Sequence, residues 1–176
     1  HVFGPLKMTS STVHQPPQLE LGPLVARGYR WTGDRPEPVD YNYIYPSPAG
    51  ALSTTAGDMG RFMLALLGDG SAQGAPVLTP ASATSLLAAQ FTADPRIPAA
   101  AYGFGHLMWH GHRLVYRDGT LGDQHGALIL VPEDRLGIFI ASNSIPGLGD
   151  FLYAPMMTHI FGDADPPLPA LAPRPG

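Results

Sequence analysis

"HRLVYRDGTLGDQHGALILVPEDRLGIFIASN", residues 112–143, decides the fold. The runs HRLVYR, GALILV and LGIFIAS are short, rich in β-branched and aromatic side chains, and divided by Gly, Pro and Asp. The stretch reads as strand, glycine-rich turn, strand, turn, strand. The spacings are those of hairpins, so an antiparallel sheet is expected. Within it, Arg117-Asp118-Gly119-Thr120 has two readings. Asp118-Gly119 is a common turn pair, and local chemistry alone favours a β-turn. Alternatively, a basic residue and a glycine at a strand end place a charge and a bare backbone N–H beside a cleft. That arrangement binds a substrate carboxylate and stabilises an oxyanion.

On the N-terminal side, YGFGHLMW (102–109) supplies a further strand. Before it lies the clearest helical pattern, STTAGDMGRFMLALLGDG (53–70), in which Met59, Phe62, Met63 and Leu66 recur at i, i+3, i+4, i+7. Thr55 is its expected cap, with Asp58 as the reciprocal acid of a capping box, and Gly68 and Gly70 end it. A second helix fits TPASATSLLAAQF (79–91), capped by Thr79 with Pro80 at the first helical position. From Thr9 to Pro48 prolines recur without periodicity apart from ARGYRW (26–31), which reads as a long ordered connection. On the C-terminal side, DFLYAPMMTHIFG (150–162) is an apolar helix that Pro155 either kinks or starts. DADPPLPALAPRPG (163–176) reads as a proline-rich linker or tail.

A chain of 176 residues, 44% hydrophobic and 14% charged, is long enough for one domain with a sizeable core. Its net charge is −4 and its 10 basic residues are scattered, so no nucleic-acid surface is expected. There are no cysteines, which removes disulfides, thiolate metal ligands and a Cys nucleophile. No apolar run reaches the roughly 18 residues of a membrane span. His1 lies inside what reads as a structured segment, so a preceding portion is expected.

Candidate chemistry is sparse. His106, His110 and His112 share parity, and on one unbroken strand they would share a face able to seat a metal through imidazole nitrogens. Gly111 instead suits a hairpin turn that points the rings apart. An S-x-x-K nucleophile pair is impossible, because the only lysine is Lys7 and position 4 is glycine. None of the nine serines sits in a G-x-S-x-G elbow.

Taken together and in order, FGPLKMTSST, ARGY, YPSPAGALSTTAGDMGRFMLALLGDG, YGFG and RDGTLGDQHGALILVPEDRLGIFIASN resemble the C-terminal half of serine hydrolases of the class C β-lactamase and penicillin-binding-protein group. The likeness runs from residue 2 to about residue 160. It implies an α/β (α+β) fold, an antiparallel sheet flanked by helices, here its C-terminal half. Residues 1–162 would be that part of the domain: a connection over 1–50, a helical part over 51–92, and the sheet with its last helix over 102–162. The active site would lie between the sheet and a helical lobe that precedes this segment.

The resemblance also implies acyl-enzyme chemistry on a small-molecule ester, amide or β-lactam substrate, with no metal or organic cofactor, and an extracytoplasmic or periplasmic location. The family's S-x-x-K and Y-x-N motifs are absent here; Tyr41-Asn42-Tyr43 is a near miss. Its third motif, K-T-G or H-x-G, falls on Arg117-Asp118-Gly119. The resemblance makes Arg117, Asp118, Gly119 and His125 substrate-binding, and Thr120 the donor of an oxyanion-hole N–H. Arg117 keeps the positive charge but cannot titrate near neutrality as His does. Alone, the segment is expected to lack hydrolase activity and to leave an apolar sheet edge and face uncovered. Its main partner would then be the preceding part of its own domain. The rival expectation is a non-catalytic relative that keeps the cleft to sense ligands.

Overall fold

A computed structural model describes residues 1–18, 20–94, 97–145 and 153–163. The strands expected from the 102–143 region form one antiparallel sheet. It contains β5 (Gly105–Trp109), β6 (His112–Leu121), β7 (Gln124–Val131) and β8 (Leu136–Ser142), in the order β5-β6-β7-β8. Ahead of it come β1 (Tyr29–Trp31), β2 (Pro36–Pro38), α1 (Ser47–Gly50), α2 (Ala56–Leu67), β3 (Ser71–Ala72), β4 (Ala75–Pro76) and α3 (Pro80–Leu87). After it come β9 (Ser144–Ile145) and α4 (Ala154–Phe161). The ARGYRW stretch contributes β1, which pairs antiparallel with β2 and parallel with β9. No helix among the described residues is long and apolar enough to cross a membrane.

Alternation along the strands builds a core on each side of the sheet. Val115, Leu128 and Leu130 face α2, joining Met59, Met63, Leu66, Leu6 and Met8. Leu114, Ile129 and Val131 face the other way and pack with Met157 of α4. GALILV is continuously apolar because β7 is central and covered on both faces, so its side chains are buried whichever way they point. Gly137 lets β8 approach α2 closely: a Cβ there would stand 2.9 Å from Met63 Sδ.

The reading of Asp118-Gly119 as a turn is corrected. β6 runs through both residues to Leu121, in register with β7 from Val115↔Leu130 to Leu121↔Gln124. The turn is Gly122-Asp123, with Gly122 at φ +59 in the first central position, as a type II′ hairpin requires. A cross-strand ladder on one side and the tight Gly122 turn beyond it outweigh the local preference of Asp-Gly. Between β5 and β6 the two-residue turn is His110-Gly111, at φ +47 and +81, the type I′ pattern.

Helix α2 is capped as expected on one side only. Thr55 Oγ1 accepts from the Asp58 N–H at 3.2 Å, but the Asp58 carboxylate does not return the bond. It turns instead to Ser10, Ser11 and Arg61. α3 begins after Thr79, whose hydroxyl accepts from the Ser82 N–H, and ends at Leu87, short of the expected Phe91. Pro155 lies in the first turn of α4 and so starts that helix. The upstream part of the expected C-terminal helix and the proline-rich run 164–176 lie outside the described residues.

Candidate active site

The end of β6 nearest the Gly122 turn is an open sheet edge. β5 reaches only to Gly105, opposite Tyr116, so Arg117 to Leu121 have β7 on one side and, among the described residues, no strand on the other. Leu121 and Gln124 flank a two-residue turn and therefore form a hydrogen-bonded pair. Alternation then gives Gly119 and Arg117 to β7. The N–H and C=O groups of Asp118 and Thr120 point away from β7, into the open edge.

That edge borders a cleft of about 950 Å³, and Arg117, Asp118, Gly119, Thr120 and His125 all line it. Its other lining includes the loop carrying Tyr41 and Asn42, Ser53-Thr54-Thr55 before α2, and Phe62 and Phe139. The Arg117 side chain makes no ion pair or hydrogen bond to a described residue. Gly119 has nothing within 4 Å of where a Cβ would stand. Thr120 and His125 are cross-strand partners, and their side chains share a hydrogen bond of 2.7 Å between Oγ1 and Nδ1.

The hairpin tip is held in place from outside the sheet. Asp123 is buried in the turn and takes a two-pronged bond from Arg30 of β1, Nε to Oδ1 at 3.1 Å and Nη2 to Oδ2 at 2.7 Å. Asn42 lies against Gly122 so closely that a Cβ there would meet its Nδ2 at 1.9 Å. Gln124 Nε2 donates to the Ala26 carbonyl and Asn143 Nδ2 to that of Arg27. The irregular segment before α2 thus fastens to the ends of β6, β7 and β8.

Sequence reasoning missed the group that organises the opposite wall. Asp58 is buried and accepts from Ser10 N–H at 2.9 Å, Ser11 Oγ at 2.7 Å and Arg61 Nη1 at 2.7 Å. Ser11 has one hydroxyl proton and gives it to the carboxylate, so at 2.7 Å it accepts from Thr54 Oγ1. The chain from Asp58 to Thr54 fixes the cleft-lining Ser10 and Ser53-Thr54-Thr55 against each other. Asp58's position in α2 was legible as a helix start; nothing local signals a partner 47 residues away.

The three histidines are dispersed. His106 is buried with Nε2 on the Leu87 carbonyl, and His112 Nδ1 bonds Asp134 Oδ2. His110 occupies the hairpin turn beside Gly162. Among the described residues no group of three or more His, Cys, Asp or Glu is placed to hold a metal.

A second, smaller cavity of about 190 Å³ adjoins the cleft, sharing Arg117, Asp118, His125, Ala127 and Leu128 with it and adding Tyr116 and Tyr153. The Tyr153 hydroxyl is buried without a hydrogen-bond partner among the described residues. Burial, then the neighbouring Tyr116 and Asp118, raise its pKa above the ordinary phenol value.

Comparison with known proteins agrees with this fold. The chain is 30% identical over 142 residues to a human (Homo sapiens) beta-lactamase-like protein, covering 80% of this chain and 27% of that one. The octameric penicillin-binding protein homologue from Pyrococcus abyssi superposes with a TM-score of 0.73 at 18% identity, over 93% of this chain and 36% of its own. A class C beta-lactamase superposes with a TM-score of 0.64 at 18% identity, over 83% of this chain and 45% of its own. The chain therefore spans well under half the length of each of these proteins. Residues 1–158 match the family described as Beta-lactamase, and the chain belongs to that family.

Proposed function

We propose that this chain forms the sheet-side wall of a serine hydrolase cleft, and that the nucleophile comes from a part of the protein outside these residues. The observation that carries the reading is the open edge of β6, where Arg117 to Thr120 run beside the cleft. In the reaction a serine oxygen attacks the carbonyl of an ester, amide or β-lactam. The Thr120 N–H and the nucleophile's own N–H hold the oxyanion. The leaving group departs with a proton, and water then hydrolyses the acyl-enzyme.

Each residue of the wall has a role in this reading. Arg117 holds a substrate carboxylate with its fork of donors. Gly119, without a side chain, lets the substrate backbone approach the strand. His125 fixes the Thr120 side chain, and with it the local backbone. Because a guanidinium stays charged across the working range, Arg117 binds and does not move protons.

The test is substrate discrimination in the full-length protein. Arg117→Ala is expected to lower kcat/KM about 10- to 100-fold for an ester bearing a carboxylate, the loss of a charge-assisted hydrogen bond. A neutral ester of the same shape should lose less than about threefold. Equal losses on both esters would refute the role of Arg117. Carboxylate binding without turnover would favour a sensor.

A further inference from the structure

We propose that the 190 Å³ cavity beside the cleft is a subsite for a primary ammonium group carried on an apolar stem. Side chains alternate along β6, so Arg117 and Gly119 project on the face that holds Leu128, while Tyr116, Asp118 and Thr120 project on the other. The cavity opens on this second face. Its polar groups include one carboxylate, from Asp118, and two phenol oxygens, from Tyr116 and Tyr153. Its apolar walls include Leu107, Ile129 and Ile140.

The chemistry of these groups selects the ligand. Asp118 has no cationic partner and no hydrogen bond among the described residues. Tyr153 presents a buried hydroxyl with no hydrogen-bond partner among the described residues, an arrangement that costs stability unless another group, a ligand or water satisfies it. An ammonium has three donors and no acceptor, and the described lining offers three acceptor groups, one of them a carboxylate; Arg117 also lines the cavity, but its side chain projects on the Leu128 face. A carboxylate would meet Asp118 in repulsion. The imidazole of His125 is engaged with Thr120.

As a determinant of substrate class the inference rests on the hydrolase reading; as a binding site it does not. A ligand reaching both cavities would carry a carboxylate toward Arg117 and an amine toward Asp118, on opposite sides of one strand.

The probe is benzylamine against its neutral counterpart benzyl alcohol, with binding followed at neutral pH by calorimetry on the full-length protein. The amine is expected to bind about two- to fivefold more tightly than the alcohol, the range of a partly exposed ion pair. Asp118→Asn should abolish that preference, and Tyr153→Phe should weaken amine binding while leaving the alcohol within about twofold. Asp118 is exposed, so its variant tests the site without disturbing the core. Equal affinity for the two probes, or a preference that survives Asp118→Asn, overturns the proposal. Because neither probe reacts, loss of turnover with amine selectivity intact would count against the hydrolase reading alone.

Discussion

A lysine or histidine can move protons near neutrality and an arginine cannot, so in the proposed cleft Arg117 would bind and not transfer protons. The pH dependence of kcat/KM for carboxylate substrates should accordingly contain no limb that disappears in Arg117→Ala. The motif was legible because its residues are contiguous. Asp58 was not, because a carboxylate that joins Ser10, Ser11 and Arg61 looks from sequence like the acid of a capping box. Asp58→Ala should destabilise the protein by about 1–3 kcal/mol, since it strands the buried Ser11 hydroxyl and the half-buried Ser10 N–H and frees Arg61, and the shift in urea midpoint would measure it. Tyr153 gives a test of opposite sign in pH. Burial, with Tyr116 and Asp118 nearby, raises its pKa above the phenol value of about 10, so the folded state keeps the proton longer than the unfolded chain. Its contribution to stability is complete below about pH 10 and is lost as pH rises through the folded pKa. One tyrosine is therefore expected to ionise late in an ultraviolet titration, and Tyr153→Phe to remove it.

Strands and helices were read correctly where periodicity was strong and where glycine carried the turn. The alternating and continuous runs of β6, β7 and β8 and the i, i+3, i+4 pattern of α2 each stand where the sequence places them. The local turn preference of Asp118-Gly119 is overridden for a physical reason. Pairing with β7 extends β6 by stabilising every residue up to Leu121, and the adjacent Gly122 accepts the positive φ that the turn demands. Gly122→Ala should then cost about 1–2 kcal/mol, from the left-handed backbone and from displacement of Asn42. Removing the Asn42 side chain as well should return the steric part of that cost, leaving the backbone part; thermal melts of the single and double variants would separate the two. Local irregular segments were less legible. β1 and β2 are three residues each, too short to announce a period, and are held by β9 and by the Arg30–Asp123 pair.

A sheet with a core on each face positions an open strand edge along a cleft, and several large apolar side chains outside those cores remain exposed. Leu24 is 75% exposed, Trp31 52% and Tyr45 fully so. Apolar surface of this kind is costly in water and suits contact with more protein. Produced alone, the 176-residue chain should bind a hydrophobic dye or self-associate, and should release p-nitrophenol from an activated ester no faster than buffer. A burst of product from a clean preparation would contradict the second expectation. The architecture was legible from ordered motifs, whereas the cleft was not, because its walls join residues far apart in the chain, such as Thr54 and Thr120. The most direct measurement is a crystal structure of the full-length protein after reaction with a boronic acid. A boronate oxygen is expected within hydrogen-bonding distance of the Thr120 N–H. A boronate bound elsewhere, or a Thr120 N–H already taken by a neighbouring strand, would contradict it.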